Sequence, residues 1–159
     1  MTDLNKILVP TDFSEASAAA LKYACQLADA LHADLSIVHA IEHPPSLGAY
    51  NDFYSPPEDY FVRRERDART QLDALLTPEQ KEHYRAELVV RHGNPVREIL
   101  QYLHEHAAIH LVVMATHGRG GVARVMLGSV ADKIVRMAPC PVLTVRIPEA
   151  HEPRTTRAA

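Results

Sequence analysis

The chain predicts an α/β domain, a single open sheet of five parallel strands in the order 3-2-1-4-5 with helices on both faces. Two observations carry this. Short apolar runs recur along the chain, separated by stretches with helical spacing of their apolar residues. Each return to a parallel strand then needs a right-handed crossover, which lays the helices on the two faces of the sheet. With 159 residues, 47% of them apolar, the chain fits one domain that buries roughly 70% of its unfolded surface. No second domain is expected.

The elements follow in order. Ile7-Leu8-Val9 forms a strand stopped by Pro10, and Ser14 caps a helix in which Ala20, Leu21, Ala24, Ala28 and Leu31 recur at helical spacing. Leu35 to Ile41 is the second strand. Glu58 to Leu76 reads as a helix with Phe61, Ala68, Leu72 and Leu75 as its apolar stripe. A third strand runs from Ala86 to Arg91, and Gly93-Asn94-Pro95 introduces a helix through Val96, Ile99, Leu100 and Leu103. The fourth strand is Ile109 to Met114. Beyond a glycine-rich loop, Val122, Val125 and Met126 suggest a helical turn, and Ser129-x-x-Asp132 resembles a capping box ahead of Val130, Ile134 and Met137. Pro139-Cys140-Pro141 ends that helix, and Val142 to Val145 is the fifth strand. The expected organisation is a domain over 1–146 and a flexible polar tail over 147–159.

Composition narrows the function. Seventeen basic and twenty acidic residues give a formal charge of -3 without a long block of one sign, so neither nucleic acid nor an anionic membrane is suggested as a partner. The basic cluster Arg63, Arg64, Arg66 and Arg69 is interleaved with Glu65 and Asp67 and reads as a solvated helix face. The first residues lack a signal-peptide core, and no apolar run approaches the ~20 residues that span a bilayer. A cytoplasmic location is expected. Cys25 and Cys140 have no metal or redox spacing and read as reduced thiols. The segment His43 to Pro57 is fenced by Pro44, Pro45, Pro56 and Pro57 around Tyr50, Phe53 and Tyr54. It reads as a loop folded on its own domain, with a lid or a partner contact as alternatives.

The chemistry lies where strands end. In an open parallel sheet a ligand occupies the crevice at the carboxyl ends of the strands where strand order reverses. In the order given, that crevice separates Pro10-Thr11-Asp12, after strand one, from Met114-Ala115-Thr116-His117-Gly118-Arg119, after strand four. Asp12 can accept hydrogen bonds from a ribose or a base amine, while Gly118, Gly128 and Ser129 can donate backbone N–H groups to phosphate oxygens. Asp12 and Ser14 can also serve simply as caps of the first helix.

These residues carry a resemblance. Lys6 to Ser14, Met114 to Arg119, Leu127-Gly128-Ser129-Val130 and Ala138 to Leu143 are similar to the universal stress protein family, and the likeness runs from about Lys6 to Arg146. The resemblance implies a Rossmann-like adenine-nucleotide-binding fold, usually homodimeric. ATP-binding members carry Gly, two residues, Gly, nine residues, then Gly and Ser or Thr. Gly118 and Gly128-Ser129 keep that spacing, and Ala115 stands where the first glycine belongs. Alanine is compatible with that position if its φ is negative. By the resemblance, Asp12 and the backbone of Ala40 address the adenine and ribose, Ala115 the ribose, and Gly118, Arg119, Gly128, Ser129 and Val130 the phosphates. Pro10, Thr11, Met114 and His117 complete the expected site. The implied ligand is ATP, with ADP or AMP as alternatives and Mg²⁺ carried by the phosphates.

Rival motifs fit less well. Gly118-x-Gly120-x-x-Ala123 matches a dinucleotide fingerprint but follows the fourth strand without the acidic residue expected about 20 positions on, and no Gly-x-x-x-x-Gly-Lys-Ser/Thr P-loop occurs. Hydrolysis needs a group that orients water and charge stabilisation at the γ-phosphate. His117 and Arg119 are near enough in sequence to contribute, though each also has a plain structural reading. His104 and His106 point to different helix faces and do not form a metal pair. The apolar strand Val142 to Val145 lies at a sheet edge that needs covering, and the resemblance implies a homodimer through it. The expected function is a cytoplasmic, dimeric stress-response regulator governed by ATP occupancy, with at most slow hydrolysis. The alternatives are a dimeric interaction protein with an empty site and a slow ATPase.

Overall fold

A computed structural model of the chain describes residues 5–42, 59–117 and 127–147. Its elements are β1 (Lys6–Pro10), α1 (Glu15–Leu31), β2 (Asp34–Ile41), α2 (Tyr60–Asp73), α3 (Pro78–His83), β3 (Glu87–His92), α4 (Pro95–Glu105), β4 (Leu111–Ala115), α5 (Ser129–Met137) and β5 (Val142–Val145). The five strands form one sheet in the order β3-β2-β1-β4-β5, and every neighbouring pair is parallel. That is the expected architecture.

Alternation along each strand explains the two cores. Ile7, Val9, Leu35, Ile37 and Val113 face α1 and α2, where Leu21, Ala24, Ala28 and Leu72 are buried against them. Leu8, Val38, Val112 and Met114 point the other way, onto Ile99, Tyr102 and Leu103 of α4 and Ala131 and Ile134 of α5. Because successive side chains leave opposite faces of a strand, a sheet covered on both sides needs apolar residues at consecutive positions. The fully buried run Ile7-Leu8-Val9 meets that requirement.

Several boundaries differ from expectation. The predicted second helix stops at Asp73, and a separate short helix, α3, follows at Pro78–His83. Its start is set by Thr77, whose side chain accepts from Gln80 N while the Gln80 side chain accepts from Thr77 N. This reciprocal cap is legible in the sequence Thr-Pro-Glu-Gln. The fourth strand begins at Leu111 and extends to Ala115. Ile109 is buried ahead of it, and His110 N donates to Lys6 O at 3.0 Å. The third strand likewise extends one residue further, to His92. Finally, Ser129 is not the cap of the last helix: Gly128 is, with no side-chain hydrogen bond, and Asp132 instead receives Arg136 one turn on. The expected capping box therefore does not form. The helical turn at Val122 to Met126, the segment His43 to Pro57 and the tail from residue 148 lie outside the described residues.

Candidate functional site

The ends of β1, β2 and β4, together with α2 and the start of α5, enclose a cavity of about 720 Å³. It lies where the strand order reverses between β1 and β4. Of the expected residues, Pro10, Thr11, Asp12, Ala40, Met114, Ala115, His117, Gly128, Ser129 and Val130 all line it. Gly118 and Arg119 lie outside the described residues.

The wall from β1 is held by hydroxyl and carboxylate turns. Thr11 N donates to Val38 O at 2.9 Å, and Thr11 Oγ1 accepts from Phe13 N at 3.1 Å and meets Ser17 Oγ at 3.1 Å. Asp12 Oδ1 accepts from Ser14 N at 3.0 Å, and Ser14 Oγ in turn accepts from Ser17 N at 3.2 Å, so Ser14 is the α1 cap that its sequence position predicts. Asp12 therefore steadies the turn into α1, which Ser14 caps, and also lines the cavity. Between them Phe13 stands at φ 63, a left-handed conformation in which a bulky side chain is rare. Its ring lies against His39, with centroids 4.3 Å apart. His39 Nδ1 is 2.8 Å from Thr11 O, and since a carbonyl can only accept, Nδ1 carries the proton. Strand β2 thereby locks the turn that presents Asp12.

The opposite wall is the start of α5. Gly128 N donates to Thr116 O at 2.7 Å, and a Cβ built on Gly128 would lie 2.9 Å from that same carbonyl. Only glycine lets the helix begin this close to β4. With a cap that contributes no side-chain acceptor, the first N–H groups of α5 are left to other partners, and Ser129, Val130 and Ala131 line the cavity. His117 Nδ1 is 3.0 Å from Thr116 Oγ1, while its Nε2 is buried and has no hydrogen-bond partner among the described residues. Uncapped helix N–H groups suit an anion. Ala115 is the last residue of β4, paired with Val145, and is not among the residues with positive φ. Its methyl therefore meets no conformational objection.

Sequence reasoning missed one whole wall. Arg64, Asp67 and Gln71 of α2 line the cavity beside the buried Ala68. Positions 64, 67, 68 and 71 are spaced i, i+3, i+4 and i+7 and so share a helix face, a signal available in the sequence. Arg63 and Arg69 do behave as a solvated face, paired with Asp59 and Glu65 one turn away, whereas Arg64 belongs partly to the cavity. Phe13, Ser17 and His39 were also not anticipated, although His39 directly precedes Ala40.

The fold defines a single-domain α/β protein built on an open five-stranded parallel sheet, with its crevice where the strand order reverses. The Universal stress protein family model matches residues 4–146, and the chain belongs to that family. Universal stress protein YxiE of Bacillus subtilis is 33% identical over 147 residues, covering 89% of this chain and 99% of that one. The structure of universal stress protein UspA from Lactobacillus plantarum superposes with a TM-score of 0.69 at 24% identity, covering 92% of this chain and 100% of that chain. A universal stress protein solved in complex with cAMP has a TM-score of 0.63 at 25% identity, covering 91% and 98%.

Proposed function

We propose that this protein binds ATP across the carboxyl ends of β1 and β4 and acts as a dimeric stress-response regulator whose state follows nucleotide occupancy. The observation that carries the reading is the start of α5, where Gly128 is pressed onto Thr116 O and the first helical N–H groups open onto the cavity without a side-chain cap. Phosphates suit that end, with the Ser129 and Val130 N–H groups as donors. Gly118 and Arg119 join this set by the family motif. Asp12 and the backbone of Ala40 suit the ribose and base, with Pro10, Thr11, Met114 and Ala115 as the floor. The adenine nucleotide in the cAMP-bound relative supports the class of ligand. Mg²⁺ would arrive with the phosphates and supply charge neutralisation. The domain spans 1–146, its location is the cytoplasm, and hydrolysis is slow at most.

Mass spectrometry of freshly purified, denatured protein and calorimetric titration with ATP test the reading. An adenine nucleotide mass, or binding well below millimolar ATP, is expected. Neither copurified nucleotide nor binding at millimolar ATP removes it. Phosphate release from wild type and His117→Ala then separates binding from turnover: a loss beyond the effect on affinity would assign His117 a part in hydrolysis.

A further inference from the structure

The ladder between β1 and β2 stops at Thr11. Its N–H donates to Val38 O at 2.9 Å, just past the last register pair, Pro10 with Val38. Continued in the same register, the ladder would next join Ala40 N to Thr11 O and Phe13 N to Ala40 O. Among the described residues neither rung forms. Both groups on the β1 side are taken by side chains instead, Thr11 O by His39 Nδ1 at 2.8 Å and Phe13 N by Thr11 Oγ1 at 3.1 Å. Thr11 is 8% exposed, so its carbonyl has to be paired within the fold. The imidazole that pairs it belongs to the residue before Ala40, lines the cavity, and lies against the ring of Phe13, the residue held at positive φ. The edge of the Ala40 peptide that would have continued the ladder is thereby left at the crevice.

Resting on the ATP-site reading, we propose that His39 is a positioning residue of this site: by donating Nδ1–H to Thr11 O it ends the β1–β2 ladder, which keeps the Ala40 peptide open to a ligand and fixes the turn that carries Asp12. The role needs no contact between the imidazole and the nucleotide. It needs a donor at one place, and the carbonyl it meets sets which ring nitrogen holds the proton. Without that donor the buried Thr11 carbonyl has an unmet acceptor, and its ladder partner, the Ala40 N–H, is the group that would satisfy it. The sheet would then close by one rung over the position where the ligand binds. Asparagine carries an N–H as many bonds from the backbone as Nδ1, whereas leucine and alanine carry none.

The test joins calorimetric titration with ATP to amide hydrogen exchange read by NMR, on the full chain, for wild type, His39→Leu, His39→Ala and His39→Asn. Two variants without a donor are used so that a packing fault in one does not decide the result, and thermal melting confirms that each folds. His39→Leu and His39→Ala are expected to bind ATP about fivefold to tenfold more weakly than wild type. In the nucleotide-free chain they should also slow exchange of the Ala40 amide by about tenfold or more, as Thr11 O takes it as a partner. His39→Asn should stay within about threefold of wild type in both measurements. The direction of the exchange change is diagnostic, because a general loosening of the sheet would speed exchange at Ala40 rather than slow it. Wild-type affinity in the variants without a donor, an equal loss in His39→Asn, or exchange at Ala40 that is unchanged or faster overturns the inference while leaving a nucleotide site in place. A wild type that binds no ATP overturns the ATP-site reading, and the role of His39 with it, whatever the exchange at Ala40.

Discussion

Gly128 N donates to Thr116 O at 2.7 Å and thereby ties the first residue of the α5 cap to the end of β4. The position tolerates no Cβ without movement, since the added carbon would stand 2.9 Å from a backbone oxygen that cannot rotate away. Gly128→Ala is therefore expected to cost about 1–3 kcal/mol by overpacking, read as a lower urea midpoint with unchanged slope. ATP affinity should fall by tenfold or more as the helix start moves from the phosphates. Wild-type affinity in this variant would place the phosphates elsewhere.

Phe13 allows a cleaner comparison. At φ 63 a Cβ is unfavourable by roughly 1–2 kcal/mol, so of two variants that both lack the ring, Phe13→Gly should be the more stable by about 1 kcal/mol over Phe13→Ala. This reverses the usual order, in which glycine is the more costly because of its unfolded-state freedom. Urea unfolding measures both. Equal or greater stability for alanine would mean that the turn after Asp12 does not hold its left-handed residue.

Stability in acid should report on Glu87. Hydrogen bonding to Lys6 Nζ, 2.8 Å away, holds its carboxyl below the ordinary glutamate value, with a smaller contribution from Tyr102 OH at 3.3 Å. A group with a lowered folded pKa contributes stability that is complete above the unfolded value, near 4.3, and is lost as pH falls through the folded value. Glu87 is half-exposed, so the contribution is under about 1 kcal/mol. Glu87→Gln should have a shallower fall in melting temperature below about pH 4.5 than wild type, the two curves being compared at equal ionic strength. Parallel curves would show that the ion pair adds nothing.

The edge strand tests the proposed dimer. Pro141 O accepts from Val112 N of β4 and Val145 O from Thr116 N just beyond it, and alternation along a strand then turns the Thr144 amide toward the open edge. Proline at an edge position removes an outward donor without breaking the inner ladder. Thr144→Pro should therefore sediment as a monomer with a nearly unchanged circular dichroism spectrum. A variant that stays dimeric would place the interface on another face.

Much of this was legible along the chain because it depends on local periodicity. The apolar runs, the Ser14 cap, the Asn94-Pro95 helix start and the strand Val142 to Val145 all stand as read. Where reading failed, a competing local signal was discounted or overridden. Thr77-Pro78-Glu79-Gln80 begins a helix of its own, and the Ser129-x-x-Asp132 pattern yields to Gly128, because Asp132 finds Arg136 on the helix surface. The site divided in the same way. Residues at strand ends could be placed by the crevice rule, but the α2 wall could not, since packing across elements brings it to those ends.

The sequence by itself determined the alternation of strands and helices and the family likeness. Only the tertiary structure decided that Thr11 O meets His39 Nδ1, that Ala115 sits at negative φ within β4, and that Asp67 and Gln71 reach the same cavity as Gly128. The physical reason is range: periodicity and capping act over one or two turns, whereas a cavity wall is assembled by the packing of elements that the chain order keeps apart.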